Sequence, residues 1–221
     1  MVQPKENNVC VNIEVKDCVF AVCGNDNVST FQGTAFCIED YIITAGHVLP
    51  HSQMFSLYDG EMYYEKYPNF TGFVCLPSEK EKIDLTVYKE SNKSPLKLAS
   101  KLPPVGTKMG LVCWQKNEEI LEQVSCSCTI KGYDSSKKRF YALIDRRITH
   151  GSSGCPVVKD GLVYGVLTDG YDKNKYNQLT AEDRNQLKQD KEKYGEDIED
   201  CCFFLPATEI RTRLSLINIK K

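Results

Sequence analysis

The sequence has few histidines and no long apolar run. Only 3 of its 221 residues are histidines, so a general base of this type has few candidates. No apolar run approaches the roughly 18 residues that span a bilayer, and the N-terminal segment MVQPKENNVC has neither the basic nor the apolar part of a signal peptide. These absences predict a cytoplasmic protein that makes no contact with a membrane.

Neither sign of charge is in excess. The 28 basic and 30 acidic residues give a formal net charge of −2, and both signs are mixed along the chain. Proteins that bind phosphate backbones or anionic lipid concentrate lysine and arginine in one region. The sequence has no such region, so nucleic acid is not an expected partner.

Cysteine is abundant, but the spacing of a metal site is missing. The 11 cysteines include no Cys-x-x-Cys pair, and neither Cys126 and Cys128 nor Cys201 and Cys202 have a histidine nearby. The odd number and the missing secretion signal argue against a disulfide framework. Most of the cysteines are therefore predicted to be small buried residues, and no metal or other cofactor is expected.

Short segments rich in Val, Ile, Phe, Tyr and Thr recur between turn residues along most of the chain. Examples are CVFAVCG, YIITAGH, DLTVYK and LVYGVLTDG. Many short strands with frequent turns are typical of an all-β sandwich or barrel. Two hairpins are predicted, one turning at residues 134–138 and one at residues 159–161, where Asp-Gly favours a hairpin turn.

The strand pattern is interrupted twice. The polar, proline-containing segment SNKSPLKLASKLPPVG predicts a linker at residues 95–107 between a domain at 1–94 and a domain at 108–221. Residues 171–200 are strongly charged, and Thr180 and Gly195 have the positions of a helix cap and a helix stop. This insertion is either a solvated helix or a lid over a site. The chain then closes with a strand and a helix.

The segment ITHGSSGCPVV offers three candidate nucleophiles, Ser152, Ser153 and Cys155. Gly151 and Gly154 flank Ser153, and glycines relieve steric limits so that a tight turn exposes a side-chain oxygen and points successive N–H groups at one spot. Clusters of this composition are also ordinary loops. The segment alone does not choose among the three.

Two further motifs supply a histidine and an aspartate. His47 follows an apolar strand in IITAGHVLP, and Asp84 directly precedes the apolar strand LTVYK. Each residue alone is more typical of a structural role. Together with Ser153, however, they occur in the order His, Asp, Ser, which is the order of the chymotrypsin-type triad.

On the motifs ITAGHVL, DLTVY and DRRITHGSSGCPVV the sequence resembles the chymotrypsin-fold serine proteases, above all the trypsin-like subgroup that includes the bacterial high-temperature-requirement proteases and several viral processing proteases. The resemblance implies an all-β fold of two six-stranded antiparallel β-barrels with a C-terminal helix. This chain adds the charged helical insertion. In the family the serine follows Gly-x and precedes Gly-x-Pro, which Ser153 fits.

The implied activity is that of a serine endopeptidase without a cofactor, acting on a protein or peptide substrate. The resemblance gives His47 the role of general base, Asp84 that of its orienting partner and Ser153 that of nucleophile, with the N–H groups of Gly151 and Ser153 as oxyanion hole. Secreted members that are activated by cleavage carry an aspartate where this chain has Ser152. No such activation is therefore expected.

Specificity is predicted from the segments beside the nucleophile. Members that cut after Glu or Gln typically have a histidine on the strand wall of the pocket, which the segment GVLTDG lacks. Arg147 lies either at the pocket floor or in solvent. The candidate pocket residues are Arg147, Thr149, His150, Val166, Leu167 and Thr168. A medium-sized apolar residue is expected at P1, the substrate residue whose carbonyl carbon is attacked.

Two alternatives remain at this stage. The chain is either an active protease or a catalytically inactive protease-like module that binds a peptide. A cysteine nucleophile at Cys155 would require a shifted turn. Otherwise Cys155 is either a packed small side chain or an oxidation-sensitive switch beside the site.

Overall fold

The computed structural model describes residues 13–24, 30–49, 55–66, 73–75, 83–94, 96–118, 120–145, 151–170 and 180–219. Within these ranges the strands are β1 (Val19–Cys23), β2 (Phe31–Thr44), β3 (Phe55–Tyr58), β4 (Tyr63–Lys66), β5 (Phe73–Cys75), β6 (Leu85–Ser94), β7 (Lys97–Leu98), β8 (Lys108–Asn117), β9 (Ile120–Asp134), β10 (Arg139–Ile144), β11 (Pro156–Lys159), β12 (Leu162–Gly170) and β13 (Cys201–Pro206). The α-helices are α1 (Ile13–Lys16), α2 (Ala181–Tyr194) and α3 (Ala207–Ile219).

The N-terminal barrel is the sheet of β1 to β6, in the order β4-β3-β1-β2-β6-β5 with all neighbours antiparallel. Its long strand β2 pairs with β1 through its first half and with β6 through its second half. The change of partner occurs near Glu39, where φ is 50° and the register with β6 shifts. Apolar side chains of β2 such as Phe36 and Ile42 are buried on both faces of the strand.

The C-terminal barrel is a closed ring of β11, β8, β9, β10, β13 and β12, in which β12 pairs again with β11. The predicted fold of two six-stranded antiparallel barrels followed by a helix is confirmed. One strand was not expected: β7 lies in the segment predicted as a linker and adds to β12 in parallel. The domain limits at 1–94, 95–107 and 108–221 stay a prediction.

Both predicted hairpins are present. Residues 135–138 connect β9 to β10, and Asp160 and Gly161 connect β11 to β12. Asp160 and Gly161 have φ of 51° and 74°, so both occupy the left-handed region that a two-residue hairpin turn requires. The Asp-Gly signal in the sequence therefore identified this turn correctly.

The predicted helical insertion is also present, although its residues 171–179 lie outside the described part. Helix α2 begins directly after Thr180, whose carbonyl accepts from the N–H of Arg184, and ends before Gly195 with φ of 104°. A 3-10 helix, Glu196–Asp200, leads into β13. Leu187 of α2 packs with Ile198 against the outside of the barrel, so the insertion is docked on the fold.

The cysteines behave as packing residues wherever their side chains are described. All nine of these side chains are buried. Five of them lie in the core of the C-terminal barrel: Cys113, Cys126, Cys128, Cys155 and Cys202. Burial raises the pKa of Cys128 and of Cys201 to about 12, so these thiols stay protonated. No helix among the described residues is both long and apolar enough to cross a membrane.

Candidate active site

His47 lies in a short 3-10 turn, Gly46–Val48, that follows the end of β2. The N–H of Val48 donates to the carbonyl of Ala45 and closes this turn. Gly46 and Val48 are buried, whereas the side chain of His47 is 44% exposed. The imidazole of His47 is therefore accessible, although the backbone turn that carries it is buried.

The register between β2 and β6 brings Asp84 to His47. Thr44 pairs with Thr86, so the residue before β6 lies beside the turn that follows β2. The backbone N–H of His47 donates to Oδ1 of Asp84 at 2.8 Å, and Nδ1 of His47 lies 2.6 Å from Oδ2. Both carboxylate oxygens thus bind the same residue, which fixes the position of the imidazole.

The charge of Asp84 controls the protonation of His47. The hydrogen bond to Asp84 raises the pKa of His47 above its ordinary value of 6.5; partial burial opposes this shift, and the charges of Asp84 and Asp169 add to it. In the neutral imidazole a carboxylate at Nδ1 keeps the proton on that nitrogen. Nε2 is then the atom that is able to accept a proton.

Ser153 lies in the Gly-Ser turn, residues 151–154, between β10 and β11. Gly151 and Gly154 have φ of +99° and +87°, a region that side chains other than glycine rarely adopt. A Cβ on Gly151 would overlap the ring of Phe31, and a Cβ on Gly154 would overlap the carbonyl oxygen of Thr34. The turn therefore requires glycine on both sides of the serine pair.

The Gly-Ser turn is held by the N-terminal barrel. The N–H of Thr34, on β2, donates to the carbonyl of Ser153 at 2.8 Å, and the hydroxyl of Thr34 donates to the carbonyl of Gly151 at 2.9 Å. On the other side the N–H of Gly154 donates to the carbonyl of Leu167 at 2.7 Å. Because β2 also leads to His47, one strand positions both the turn and the imidazole.

The three candidate nucleophiles occupy different environments. Ser152 is 2% exposed, and its hydroxyl accepts from Nε2 of Gln115 at 3.1 Å. Cys155 is fully buried, and this burial together with a contact to Cys113 raises the pKa of its thiol well above the ordinary value. Ser153 alone of the three lines the cleft that contains His47. Burial favours the interpretation of Cys155 as a packed side chain.

The cleft has a volume of about 800 Å³ and lies where the two barrels meet. Its lining residues are His47, Asp84, Ser136, Lys137, Arg139, Ser153, Thr168, Asp169, Gly170 and Leu205. The structure thus brings His47, Asp84 and Ser153 into one cleft, with Thr168 on its wall.

The predicted strand wall is shifted along β12. Val166 is fully buried and Leu167 is 4% exposed, and both side chains pack in hydrophobic core clusters, so neither lines the cleft. The wall consists of Thr168 with Asp169 and Gly170, because the register between β12 and β13 shifts between Leu167 and Asp169. Arg147, Thr149 and His150 lie outside the described residues.

Two charged residues that the sequence analysis did not single out form an ion pair on the cleft wall. Nη1 of Arg139 lies 3.2 Å from Oδ2 of Asp169, and the guanidinium carbon lies 3.6 Å from the centre of the Phe203 ring. Asp169 directly follows the predicted pocket residue Thr168, so the sequence could have indicated that Asp169 lies at the cleft. No sequence feature indicated Arg139, because its position at the cleft depends on how the β9–β10 hairpin packs.

The described residues contain no group of three or more histidine, cysteine, aspartate or glutamate side chains arranged to hold a metal ion. The chemistry that this part of the chain offers is a histidine paired with a carboxylate, a serine hydroxyl and backbone N–H groups. Neither N–H of Gly151 or Ser153 donates to another residue in the described ranges. Both are thus available to an oxygen atom bound in the turn.

No protein-family model matches the sequence, and no curated protein sequence matches it. Solved structures do match. The Rv3671c protease from M. tuberculosis in its active form is 17% identical, with 92% of this chain and 82% of that chain covered and a TM-score of 0.59. Neuropsin, a serine protease expressed in mouse brain, is 15% identical, with 92% and 95% covered and a TM-score of 0.61.

A scabies mite inactivated protease paralogue is also similar. It is 15% identical, the alignment covers 92% of this chain and 93% of that chain, and the TM-score is 0.62. Active and inactivated proteins therefore share this fold. What the comparisons establish is the fold: the chain has the chymotrypsin fold of serine proteases.

Proposed function

We propose that this chymotrypsin-fold protein is a serine endopeptidase with His47, Asp84 and Ser153 as its catalytic triad. The observation that carries the proposal is the two-point contact of Asp84 with His47, at 2.8 and 2.6 Å, in the cleft that Ser153 lines. A histidine that only filled space would not need both oxygens of a nearly buried carboxylate. The arrangement holds Nε2 ready to accept a proton.

The first half-reaction is acyl transfer to the serine. Nε2 of His47 accepts the proton of the Ser153 hydroxyl as Oγ attacks the carbonyl carbon of the scissile peptide bond. The tetrahedral intermediate collapses, the C–N bond breaks, and His47 returns the proton to the departing amine. Asp84 stabilises the imidazolium between these two steps without taking the proton itself.

The second half-reaction is hydrolysis of the acyl-enzyme. Water loses a proton to His47 and attacks the ester carbon, and the proton returns to Oγ as the carboxylic acid leaves. In both half-reactions the N–H groups of Gly151 and Ser153 stabilise the negative oxygen. Removing one such donor typically costs about 2.7–4 kcal/mol of transition-state stabilisation. The two glycines of the turn are needed because these N–H groups must point at one place.

Labelling with a fluorophosphonate tests the proposal, because this reagent reacts with an activated serine and needs no knowledge of the substrate. The wild-type protein is expected to label at Ser153, and Ser153→Ala is expected not to label. Cys155→Ala is the matched control: it changes a buried neighbour of the same turn and should label normally.

The inactive module is the second candidate, because an inactivated protease paralogue has the same fold. Folded wild-type protein that never labels, and that produces no new termini in a proteome digest, would support it over the proposed protease. Labelling that is lost in Cys155→Ala and retained in Ser153→Ala would instead support the cysteine nucleophile.

A further inference from the structure

Among the described residues that line the cleft, the charged side chains are paired with one exception. Asp84 binds His47, and Asp169 binds Arg139. Asp169 also accepts from the N–H of Gly170 at 2.8 Å, so its second oxygen is engaged as well. Lys137 lines the cleft, and its ammonium group has no ion-pair partner within the described ranges.

Lys137 lies in the β9–β10 turn, residues 134–138, and this turn is rigidly held. Oδ1 of Asp134 accepts from the N–H and the hydroxyl of Ser136 at 3.0 and 2.6 Å and from the N–H of Lys137 at 3.3 Å. Oδ2 of Asp134 accepts from Nζ of Lys193 at 2.9 Å and from the hydroxyl of Tyr194. Asp134 as a whole is only 6% exposed.

The contacts of Asp134 give the helical insertion a role. Lys193 and Tyr194 form the last turn of α2, so the insertion ends on the carboxylate that shapes the β9–β10 turn. The ring of Tyr194 also packs against Tyr141 and Phe203 on the barrel. The described part of the insertion therefore supports one wall of the cleft.

The β9–β10 turn is thus held in place and carries Lys137, a cleft-lining residue without an ion-pair partner in the described ranges. This arrangement bears on which substrates the cleft binds. We propose that Lys137 selects peptide substrates that carry an aspartate or glutamate within a few residues of the bond that is cut. This inference rests on the proposed protease function and adds a substrate class to it. A basic side chain is the poorer match, because both carboxylates among the lining residues are already engaged: Asp84 by His47, and Asp169 by Arg139 and the Gly170 N–H.

The preference concerns a residue other than P1. Lys137 belongs to the β9–β10 turn, whereas the wall beside Ser153 is formed by the end of β12. The expectation of an apolar P1 residue is therefore compatible with an acidic residue elsewhere in the peptide. Because the attraction is between a carboxylate and an exposed ammonium group, it should weaken as salt is added.

The test is cleavage of a randomised decapeptide library at low salt, followed by sequencing of the new termini. Wild-type protein is expected to enrich aspartate and glutamate at one position near the cleaved bond. For a peptide pair that differs only in Glu or Gln at this position, kcat/KM should favour Glu by about fivefold, as for a favourable exposed ion pair. Lys137→Gln should abolish the preference.

Lys138→Gln is the matched control. It removes a lysine from the same turn, but Lys138 faces Glu209 at 3.7 Å and does not line the cleft, so the acidic preference should persist. Equal fluorophosphonate labelling of all three proteins shows that the catalytic serine is intact in each.

Each outcome decides between the two proposals. Labelling and cleavage without an acidic preference, or with a preference that survives Lys137→Gln, would overturn the inference while leaving the protease function in place. Labelling without cleavage of any library peptide also counts against the inference. Absence of both labelling and cleavage would contradict the protease function, and the inference with it.

Discussion

The Gly-Ser turn and the β9–β10 turn border the same cleft but are held in different ways. The Gly-Ser turn depends on backbone geometry: two glycines with positive φ and hydrogen bonds from Thr34 to its carbonyl groups. The β9–β10 turn depends on side chains, with the carboxylate of Asp134 as its centre. The turn that carries the proposed nucleophile is thus fixed mainly by backbone conformation and by the two hydrogen bonds from Thr34, whereas the β9–β10 turn is fixed by a network of side chains around one carboxylate.

Substitution of a glycine in the Gly-Ser turn should have the largest effect. Gly154→Ala places a methyl group against the carbonyl oxygen of Thr34. Overpacking of this kind costs about 1–3 kcal/mol of unfolding free energy, and misplacement of the nucleophile should lower kcat/KM by about 100-fold. Thermal unfolding and peptide hydrolysis measure the two effects.

Gly161→Ala is the control for that comparison. Gly161 also has a positive φ, 74°, but a Cβ there has no atom within 4 Å. It should cost only backbone strain, about 1 kcal/mol, with unchanged kcat/KM. Equal losses of activity in the two variants would contradict the role given to the Gly-Ser turn.

Removal of the Thr34 hydroxyl should have the next largest effect. Thr34→Val leaves the carbonyl of Gly151 and the N–H of Trp114 without their partner. An unsatisfied buried polar group costs about 1–3 kcal/mol, and the relaxed turn should lower kcat more than it changes KM. Denaturant unfolding and steady-state kinetics check both parts.

Thr86→Val is a matched substitution on the neighbouring strand. The hydroxyl of Thr86 is buried and has no hydrogen-bond partner in the described part of the chain. Its removal breaks no bond, so stability and kinetics should stay near the wild-type values. A Thr86→Val protein as impaired as Thr34→Val would show that the hydrogen bonds of Thr34 are not what matters.

Loosening the β9–β10 turn should affect recognition with little effect on the chemical step. Tyr194→Phe removes one hydrogen bond to Asp134, which costs about 1 kcal/mol of unfolding free energy. KM for acidic peptides should rise, while kcat and labelling at Ser153 are retained. Tyr133→Phe, which removes an exposed hydroxyl on β9, should change neither constant.

The smallest predicted effect is a shift in pH dependence. Asp84 and Asp169 raise the pKa of His47, so acidification should protonate His47, the proposed general base, at a higher pH than an unperturbed histidine. Asp169→Asn should move this acid limb of kcat/KM to lower pH, most clearly at low salt. Asp160→Asn, in the distant β11–β12 turn, should leave the profile unchanged.

Acidification has the opposite effect on the contribution of His47 to folding stability. A group whose pKa is raised on folding stabilises the folded state fully below its unfolded pKa, and this contribution is lost as the pH rises through its folded pKa. Asp134 behaves in the other direction: burial opposes its ionisation, but hydrogen bonds from Ser136, Tyr194, Lys193 and the Lys137 N–H outweigh burial and hold its pKa far below the usual range. Its contribution is present at neutral pH and is lost only in strong acid.

The sequence predicted most of what depends on local pattern. Short apolar segments between turn residues identified an all-β chain, and the family resemblance added the two barrels. Asp160 and Gly161 identified a turn, and Thr180 and Gly195 marked the ends of α2. His47, Asp84 and Ser153 were singled out because three short motifs occur in one order, and the structure brings all three into one cleft; their catalytic role stays a proposal. These signals depend on residue type and spacing, both of which are visible in a single chain.

The cleft wall formed by the end of β12 and the β9–β10 turn was not predictable, because it depends on packing between segments distant in the sequence. Val166 and Leu167 were placed on the wall, but a register shift between β12 and β13 moves it to Thr168 and Asp169. The contact of Asp134 with Tyr194 joins residues 60 positions apart. Nothing in either local sequence indicates the other.

The five thiols in the core of the C-terminal barrel also make it possible to measure opening of the fold. In the native protein they are buried, and burial holds the pKa of Cys155 and Cys202 well above the ordinary value, so thiolate is scarce and alkylating reagents have no access. Modification at these positions then requires the barrel to open. The rate at which iodoacetamide consumes them reports the free energy of that opening, in the same protein in which Ser153 is expected to react with the fluorophosphonate.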